Sequence, residues 1–92
     1  MNDRRFVRTE MLLEQEGMVR LAASSVAVFG IGGVGSYAAE AMARAGIGRM
    51  TLVDHDMIDV TNINRQIHAY TETVGRPKTA VMAERIQQIN PS

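Results

Sequence analysis

The stretch Val26–Ala41, "VAVFGIGGVGSYAAEA", decides the fold of this chain. An apolar run ends in a cluster of glycines, and an alanine-rich helical pattern follows it. Gly30, Gly32 and Gly35 match G-x-G-x-x-G, with Gly33 as an additional glycine. In this pattern the first glycine permits a tight turn, the second lets the backbone approach a phosphate, and the third lets the helix pack closely. Because the following helix presents free N–H groups to an anion, the stretch predicts a nucleotide-binding strand–loop–helix unit.

Two apolar runs flank the predicted helix. Ser25–Phe29 and Arg49–Asp54 have the short, continuous apolar character of strands that are buried on both faces. Between them, Gly46 is placed to end the helix in a left-handed conformation. The helical spacing predicts one apolar face, which comprises Val34, Tyr37, Ala38, Ala41, Met42 and Ala45. Ser36, Glu40 and Arg44 are predicted on other faces. Strand, helix and strand together predict a parallel βαβ unit.

The flanking segments complete an α/β fold, a Rossmann-like parallel βαβ nucleotide-binding unit preceded by short N-terminal helices. Residues 1–24 are expected to form an arm followed by one or two short helices that begin at Thr9 and are interrupted near Gly17. Residues 25–92 are expected to form the core, whose last helix begins near Pro77. Since two parallel strands make a poor sheet, residues 1–92 are expected to be the N-terminal part of a single domain with a larger doubly wound sheet.

Composition excludes several classes of protein. The 92 residues are 46% hydrophobic and 22% charged, and ten acidic residues balance ten basic ones. This balance excludes a broad electrostatic field for nucleic acid or a membrane. Within these residues the absence of cysteine excludes a disulfide framework, a thiolate metal site and a cysteine nucleophile. With neither an apolar 18-residue run nor a secretory signal, a cytoplasmic protein is expected.

An acidic residue at the end of the second strand fits the glycine loop. Asp54 lies 24 residues after Gly30, where an acid accepts hydrogen bonds from ribose hydroxyls in NAD or ATP alike. Groups of both signs then follow: Asp56, Asn62, Arg65, Gln66, Arg76 and Lys78. Cations neutralise phosphate oxygens and a leaving pyrophosphate. A nicotinamide-dependent dehydrogenase leaves these cations unexplained, so the pattern favours ATP and keeps the dehydrogenase as the alternative.

The motifs together resemble a known superfamily. The sequence "GIGGVGSYAAEAMARAGIGRMTLVDHDMIDVTNINRQIHAY", followed by "VGRPK", resembles the adenylation core of the HesA/MoeB/ThiF superfamily, which is related to ubiquitin-activating enzymes. The shared features are G-x-G-G-x-G, the D-x-D of Asp54 and Asp56, N-x-x-R-Q at 62–66, and G-x-P-K at 75–78. Within the superfamily, "RFVRTEMLLEQEGMVRL" and "IDVTNINRQIHA" most resemble the tRNA threonylcarbamoyladenosine dehydratase subfamily. Sulfur-carrier adenylyltransferases are the nearest alternative.

The resemblance implies ATP-dependent activation of a carboxylate as its adenylate. It assigns Asp54 to the ribose, and Asp56 to organising Arg65 or a magnesium shell. The other implied nucleotide-binding residues are Gly30, Gly32, Gly33, Gly35, Asn62, Arg65, Gln66 and Lys78. The implied catalytic residues are Arg65, Lys78 and Arg8, the last reaching the phosphates of the neighbouring subunit in a homodimer. His55 is interpreted as a solvated loop residue and His68 as packed in a helical turn.

The resemblance also implies partners and ions. The expected substrate is tRNA, or in the alternative a ubiquitin-like sulfur carrier. The family's magnesium ligand is expected beyond these residues, and a monovalent cation is a further implied ion. Residues 1–92 alone are therefore expected neither to adenylate a substrate nor to bind ATP tightly. A noncatalytic dimerisation scaffold would not need the glycines and cations that this chain carries.

Overall fold

A computed structural model describes residues 4–91 of the chain. Its main elements follow in the order α1 (Val7–Ala22), β1 (Ser25–Phe29), α2 (Gly33–Ala45), β2 (Arg49–Val53) and α3 (Lys78–Ile89). Three short 3₁₀ turns cover Arg4–Phe6, Val60–Asn62 and Thr71–Thr73. The two strands pair in parallel, with Ser25 opposite Arg49 and Phe29 opposite Val53. The predicted βαβ unit is thereby confirmed, while the part of the N-terminal arm formed by residues 1–3 lies outside the described residues.

The two-stranded sheet is covered on one face, so the prediction of strands buried on both faces is wrong for this part of the protein. Side chains alternate between the faces of a strand. Val28 is buried and packs in one core cluster with Ala39 of α2 and Met82 of α3. On the opposite face Phe29 is 76% exposed and Val53 is 42% exposed. Both helices therefore lie on the same side of the sheet.

Helix α2 has the predicted length but turns a different face to the core. Its buried residues are Ser36, Ala39, Glu40 and Ala43, whereas Val34 is 87% exposed. The spacing is helical, but the deepest contacts are made by small residues, because a short side chain lets a helix approach a sheet or a second helix closely. The hydropathy pattern assigned the large apolar side chains to the buried face, and it therefore predicted the wrong face of α2 as the one that packs on the core.

Glu40, expected on an outer face, instead connects α2 to α3. Its carboxylate pairs with Arg85 of α3 and with Arg44 one turn along α2. Burial raises the pKa of Glu40, but hydrogen bonds and charge from Arg85, together with those from Arg44, outweigh it and leave the pKa below its ordinary value. Asn90 adds a second connection, since its Nδ2 donates to Ala43 O at 3.2 Å. These bonds fix the two helices relative to each other.

Glycine and proline mark two of the helix ends in this structure. Gly46 ends α2 with φ +107°, as predicted. Pro77 directly precedes α3 as its N-cap. Helix α1 begins at Val7, two residues before the predicted start at Thr9. It is interrupted at Glu14, where φ is +62°, three residues before the predicted break near Gly17. Within residues 4–91, no helix is long and apolar enough to cross a membrane.

Candidate nucleotide-binding site

The glycine loop connects β1 to α2 at the carboxyl end of the sheet. Gly30 has φ +88°, a conformation that favours glycine, and its N–H donates to Val53 O at 2.9 Å. A Cβ on Gly35 would lie 1.8 Å from Gly30 O, so only glycine lets the helix start this close to the loop. Ser36 N–H donates to Gly32 O and begins the helical ladder. Among the described residues no acceptor is found for the N–H groups of Gly32–Gly35, which remain available to an anion.

Asp54 closes the loop from the end of β2. Its Oδ2 accepts from Ile31 N–H and its Oδ1 from Asp56 N–H, both at 2.7 Å. Partial burial raises the pKa of Asp54, but these N–H groups, with the charges of Lys78 and His55, outweigh it and lower the pKa. An ionised carboxylate has about four acceptor positions. Two N–H donors therefore leave about two acceptor positions unused, and the binding of ribose hydroxyls there stays a prediction.

Arg65 is placed beside the amino end of α2. Its Cγ and Cδ lie 3.9 Å from the position that a Cβ on Gly33 would occupy. The guanidinium donates to Thr61 O at 3.2 Å and Asn64 Oδ1 at 3.0 Å, and the side chain is exposed. Backbone and amide oxygens therefore hold Arg65, and the expectation that Asp56 organises it is wrong in this structure. A cation so placed adds to the positive end of the helix.

Lys78 is a second cation of the site and the only lysine in the chain. It is the first residue of α3, its backbone N–H donates to Asp56 O at 3.1 Å, and it is only 7% exposed. Within residues 4–91 its ammonium makes no hydrogen bond or ion pair. The charge of Lys78 lowers the pKa of Asp54, and the backbone bond to Asp56 O brings the start of α3 to the end of β2. A lysine whose ammonium has no partner among the described residues is suited to binding an anionic ligand.

Asn62 and Gln66 are both buried, and they have different roles. Asn62 Oδ1 accepts from Asp59 N–H at 2.8 Å and completes a capping box, so this oxygen has a structural role that the sequence prediction did not assign. Gln66 Nε2 lies 3.9 Å from the position of a Cβ on Gly32. Gln66 Oε1 is buried without a hydrogen-bond partner. Gln66 therefore lies near Gly32 of the glycine loop, and its Oε1 can still accept a hydrogen bond.

Other predicted residues lie outside this group. Phe6, two residues before Arg8, lies next to Gly46. That glycine is at the far end of the 13-residue α2, about 20 Å from its glycine-loop end. Arg8 is exposed, and within one subunit it cannot join the loop. Arg76 pairs with Glu84.

Asp56 is exposed and belongs to a small acidic group at the end of β2. Its Oδ1 lies 3.5 Å from His55 Nε2, and the His55 side chain is almost fully exposed, as predicted. Ligand atoms of Asp54, His55 and Asp56 all lie within 4.8 Å of one another. Carboxylate oxygens suit Mg²⁺, but both Asp54 oxygens already accept backbone N–H groups. Asp56 is therefore the carboxylate of this group with oxygens free of backbone donors.

His68 has a role that the sequence did not reveal. It lies in the predicted turn and is fully buried, and its Nε2 lies 2.7 Å from Ile31 O in the glycine loop. Burial lowers the pKa of His68 and the Lys78 charge lowers it further, against the opposing effects of the Ile31 bond and Asp54. Ser36 was missed as well, since its Oγ accepts from Ile67 N–H at 3.3 Å. Both contacts join the 59–73 segment to the loop.

A cavity of about 490 Å³ lies elsewhere, between the carboxyl end of α2, β2 and α3. Its walls include Ile47, Met50, Thr79 and Ala83, and none of the glycine-loop residues contributes to it. The candidate nucleotide site lies instead where the glycine loop, the end of β2 and the start of α3 come together.

These features define a Rossmann-like α/β protein with a glycine loop of the type that binds nucleotides and with two cations, Arg65 and Lys78, in its neighbourhood. More particularly, the chain belongs to the ThiF family, whose model matches residues 6–92. It is 56% identical over 86 residues to the tRNA threonylcarbamoyladenosine dehydratase of Bacillus subtilis, covering 94% of this chain and 34% of that protein. The sulfur carrier protein ThiS adenylyltransferase of Escherichia coli is 41% identical over 96 residues, covering 99% of this chain and 38% of that protein.

The structure is similar to a crystal structure of the Escherichia coli tRNA N6-threonylcarbamoyladenosine dehydratase in complex with ATP. The TM-score is 0.94 at 55% identity, with 96% of this chain and 36% of that chain covered. The same dehydratase is also known in complex with AMP. This chain therefore spans about a third of the length of these relatives.

Proposed function

We propose that residues 1–92 form the N-terminal, nucleotide-binding part of an enzyme that uses ATP to activate a carboxylate as its adenylate. The observation that carries this proposal is the pair of cations at the glycine loop. Arg65 lies beside the amino end of α2, with Cγ and Cδ 3.9 Å from the position that a Cβ on Gly33 would occupy. Lys78 is only 7% exposed at the start of α3, and its ammonium has no hydrogen bond or ion pair among residues 4–91. Two cations suit the charge of a triphosphate and its leaving pyrophosphate. A dehydrogenase that binds NAD has no step in which pyrophosphate departs.

The contacts favour separate roles along the nucleotide. Asp54 holds the ribose through its remaining acceptor positions, while the glycine loop and the amino end of α2 face the phosphates. Arg65 and Lys78 balance the negative charge that develops when pyrophosphate leaves. Gln66 and the Nδ2 of Asn62 add hydrogen bonds to the same cleft. Asp56 offers an oxygen ligand to Mg²⁺, which would shield the phosphate oxygens.

The favoured substrate is the threonylcarbamoyl side chain of a modified adenosine in tRNA. Its carboxylate oxygen attacks the α-phosphorus of ATP, and the bond to pyrophosphate breaks. An internal nucleophile of the same side chain then attacks the activated carbonyl carbon, so that a ring closes and AMP leaves. The support for this substrate is the 56% identity to a tRNA threonylcarbamoyladenosine dehydratase. The role proposed for the protein is to position the groups and stabilise their charge.

A sulfur-carrier adenylyltransferase is the second candidate, favoured by the 41% identity to the ThiS adenylyltransferase. Pyrophosphate release by the complete protein distinguishes the two, with three additions compared: tRNA bearing the threonylcarbamoyl group, tRNA lacking it, and a sulfur carrier ending in Gly-Gly. We expect release only with the modified tRNA. Release with the carrier alone would establish the second candidate.

Arg65→Ala and Lys78→Met test the phosphate contacts in the complete protein. Each is expected to lower kcat/KM about tenfold or more, which corresponds to about 1.4 kcal/mol of transition-state stabilisation. Lys78→Met should leave the melting temperature unchanged or raise it, because methionine is an apolar side chain of similar length at a position that is only 7% exposed. Arg49→Ala is the matched control, because it removes an exposed cation at the opposite end of β2. Full activity in both site variants would contradict the assignment.

We also propose that the complete enzyme is a homodimer in which Arg8 reaches the partner's phosphates. The supporting observation is the separation within one subunit, since Arg8 is exposed near the end of α2 that is remote from the glycine loop. Mixing Arg8→Ala subunits with Lys78→Met subunits tests this arrangement. A shared site predicts partial recovery of activity in the mixed dimer, whereas separate sites predict none.

A further inference from the structure

We propose that His68 is a positioning residue for the nucleotide, which holds the Ile31 carbonyl and thereby aims the Gly32 N–H into the phosphate site. This inference rests on the proposed ATP site and deepens it. His68 follows the N-x-x-R-Q motif by two positions, and the sequence analysis interpreted it only as a packing residue. Its partner is 37 residues away in the chain.

Both backbone groups of Ile31 are held by side chains from outside the glycine loop. Its N–H donates to Asp54 Oδ2 at 2.7 Å, and its carbonyl oxygen lies 2.7 Å from His68 Nε2. The Ile31 side chain is itself fully buried in the core. The peptide planes on either side of Ile31 are therefore both fixed.

Peptide planarity carries this constraint to the next residue. The Ile31 carbonyl and the Gly32 N–H belong to one peptide group, and no peptide bond in the described chain is cis. In a trans peptide the C=O and N–H point in opposite directions. When His68 binds the carbonyl, the Gly32 N–H is directed away from His68. Among residues 4–91 no acceptor is found for this N–H, which leaves it free for a phosphate oxygen.

The hydrogen bond also determines the form of the imidazole. A carbonyl oxygen can only accept, so Nε2 must carry the proton. Nδ1 is buried without a hydrogen-bond partner, and a second proton there would lie unsatisfied near the Lys78 charge. The neutral ring protonated on Nε2 is therefore the form that fits.

The backbone of His68 is fixed in turn. Thr73 is 2% exposed, its Oγ1 lies 2.7 Å from His68 O, and it accepts from Tyr70 N–H at 2.9 Å. The backbone of His68 is thus held in place by hydrogen bonds, so its side chain can hold the Ile31 carbonyl in a fixed position.

Three variants of the complete protein separate the hydrogen bond from packing. In glutamine the amide nitrogen is three bonds from Cβ, as Nε2 is in histidine, whereas in asparagine it is only two bonds away. His68→Gln should therefore retain the bond to Ile31 O, and His68→Asn and His68→Leu should lose it. The loss of one hydrogen bond is expected to raise the dissociation constant of ATP about tenfold, measured by calorimetry. His68→Gln should stay within about threefold of the wild type.

Amide hydrogen exchange of the nucleotide-free protein is the second measurement. Peptides covering residues 30–35 should exchange faster in His68→Leu and His68→Asn than in the wild type and His68→Gln. Equal ATP affinity and equal exchange in all four proteins would overturn the proposal. Equal losses in the glutamine and asparagine variants would also overturn it, because they would indicate packing rather than the hydrogen bond. The exchange result does not depend on tRNA or ATP chemistry, so failure of the proposed function would remain distinguishable.

Discussion

Replacement of Gly35 by alanine tests the close contact between the glycine loop and α2. A Cβ at this position would lie 1.8 Å from Gly30 O and 2.9 Å from Gly30 C. Real Cβ contacts essentially never fall below 3.0 Å, so the carbonyl and the helix must separate by at least 1.2 Å. Both partners are backbone, and neither can turn aside as a side chain would.

The magnitude follows from two opposing effects. Overpacking typically costs about 1–3 kcal/mol, and a backbone clash belongs near the upper limit. Gly35 lies inside α2, where alanine is favoured over glycine by about 1 kcal/mol. We therefore expect the free energy of unfolding to fall by about 2 kcal/mol. Movement of the Gly30 carbonyl should also raise the dissociation constant of ATP about tenfold or more, since the loop backbone approaches the phosphates.

Gly48→Ala provides a matched control for this experiment. Its Cβ would lie 1.8 Å from Ala22 O, a clash of the same size but at the carboxyl end of α1. Both variants of the complete protein would be compared by urea denaturation and by ATP calorimetry. We expect Gly48→Ala to lose stability while its ATP affinity is retained. The reasoning would be refuted if Gly35→Ala retained full affinity, or if both variants lost affinity equally.

Two further predictions concern the groups that hold the site and the helices. Asp54→Asn should lower the free energy of unfolding by about 2 kcal/mol, because an amide cannot accept both charge-assisted N–H bonds; a urea denaturation curve unchanged from the wild type would contradict this. Glu40 has a lowered pKa in the folded state, so its contribution to stability is present above the ordinary pKa of a glutamate and is lost as the pH falls through the folded value. Melting temperatures measured from pH 7 to pH 3 should fall less in Glu40→Gln than in the wild type, and parallel curves would exclude the Glu40–Arg85 pair as the cause.

The strands show how much of the fold is predictable from local sequence. Ser25–Phe29 coincides with the predicted strand, because its apolar run is bounded by polar residues and glycine. The second strand ends at Val53 instead of Asp54. Asp54 follows the last paired residue, and its carboxylate accepts a hydrogen bond from Ile31 N–H across the loop. The local pattern places the apolar run, but it cannot place this long-range hydrogen bond.

The sequence placed the glycine loop after the first strand and Asp54 at the end of the second. The structure joins the two through the hydrogen bond from Ile31 N–H to Asp54, while their roles in nucleotide binding stay a prediction. The dual character of Asn62 was not predictable, since an asparagine in a loop can equally cap a turn or bind a ligand. The His68 contact was not predictable either, because its partner is a backbone carbonyl. No pattern of residue types encodes which carbonyl a distant side chain will meet.

The buried polar groups at this site fall into two kinds: those with hydrogen-bond partners, which hold the fold together, and those without, which can bind a ligand. Thr73 and the Oδ1 of Asn62 are buried and hydrogen-bonded within the chain, and they build the 59–73 segment. Gln66 Oε1 is buried without a hydrogen-bond partner, and the Lys78 ammonium has no hydrogen bond or ion pair within the described residues although the residue is only 7% exposed. Native proteins leave few buried polar groups unpaired. The amide oxygen needs a donor and the ammonium needs an acceptor, so a ligand that carries both hydroxyl or amino groups and anionic oxygens, as a nucleotide does, is the partner that satisfies them together.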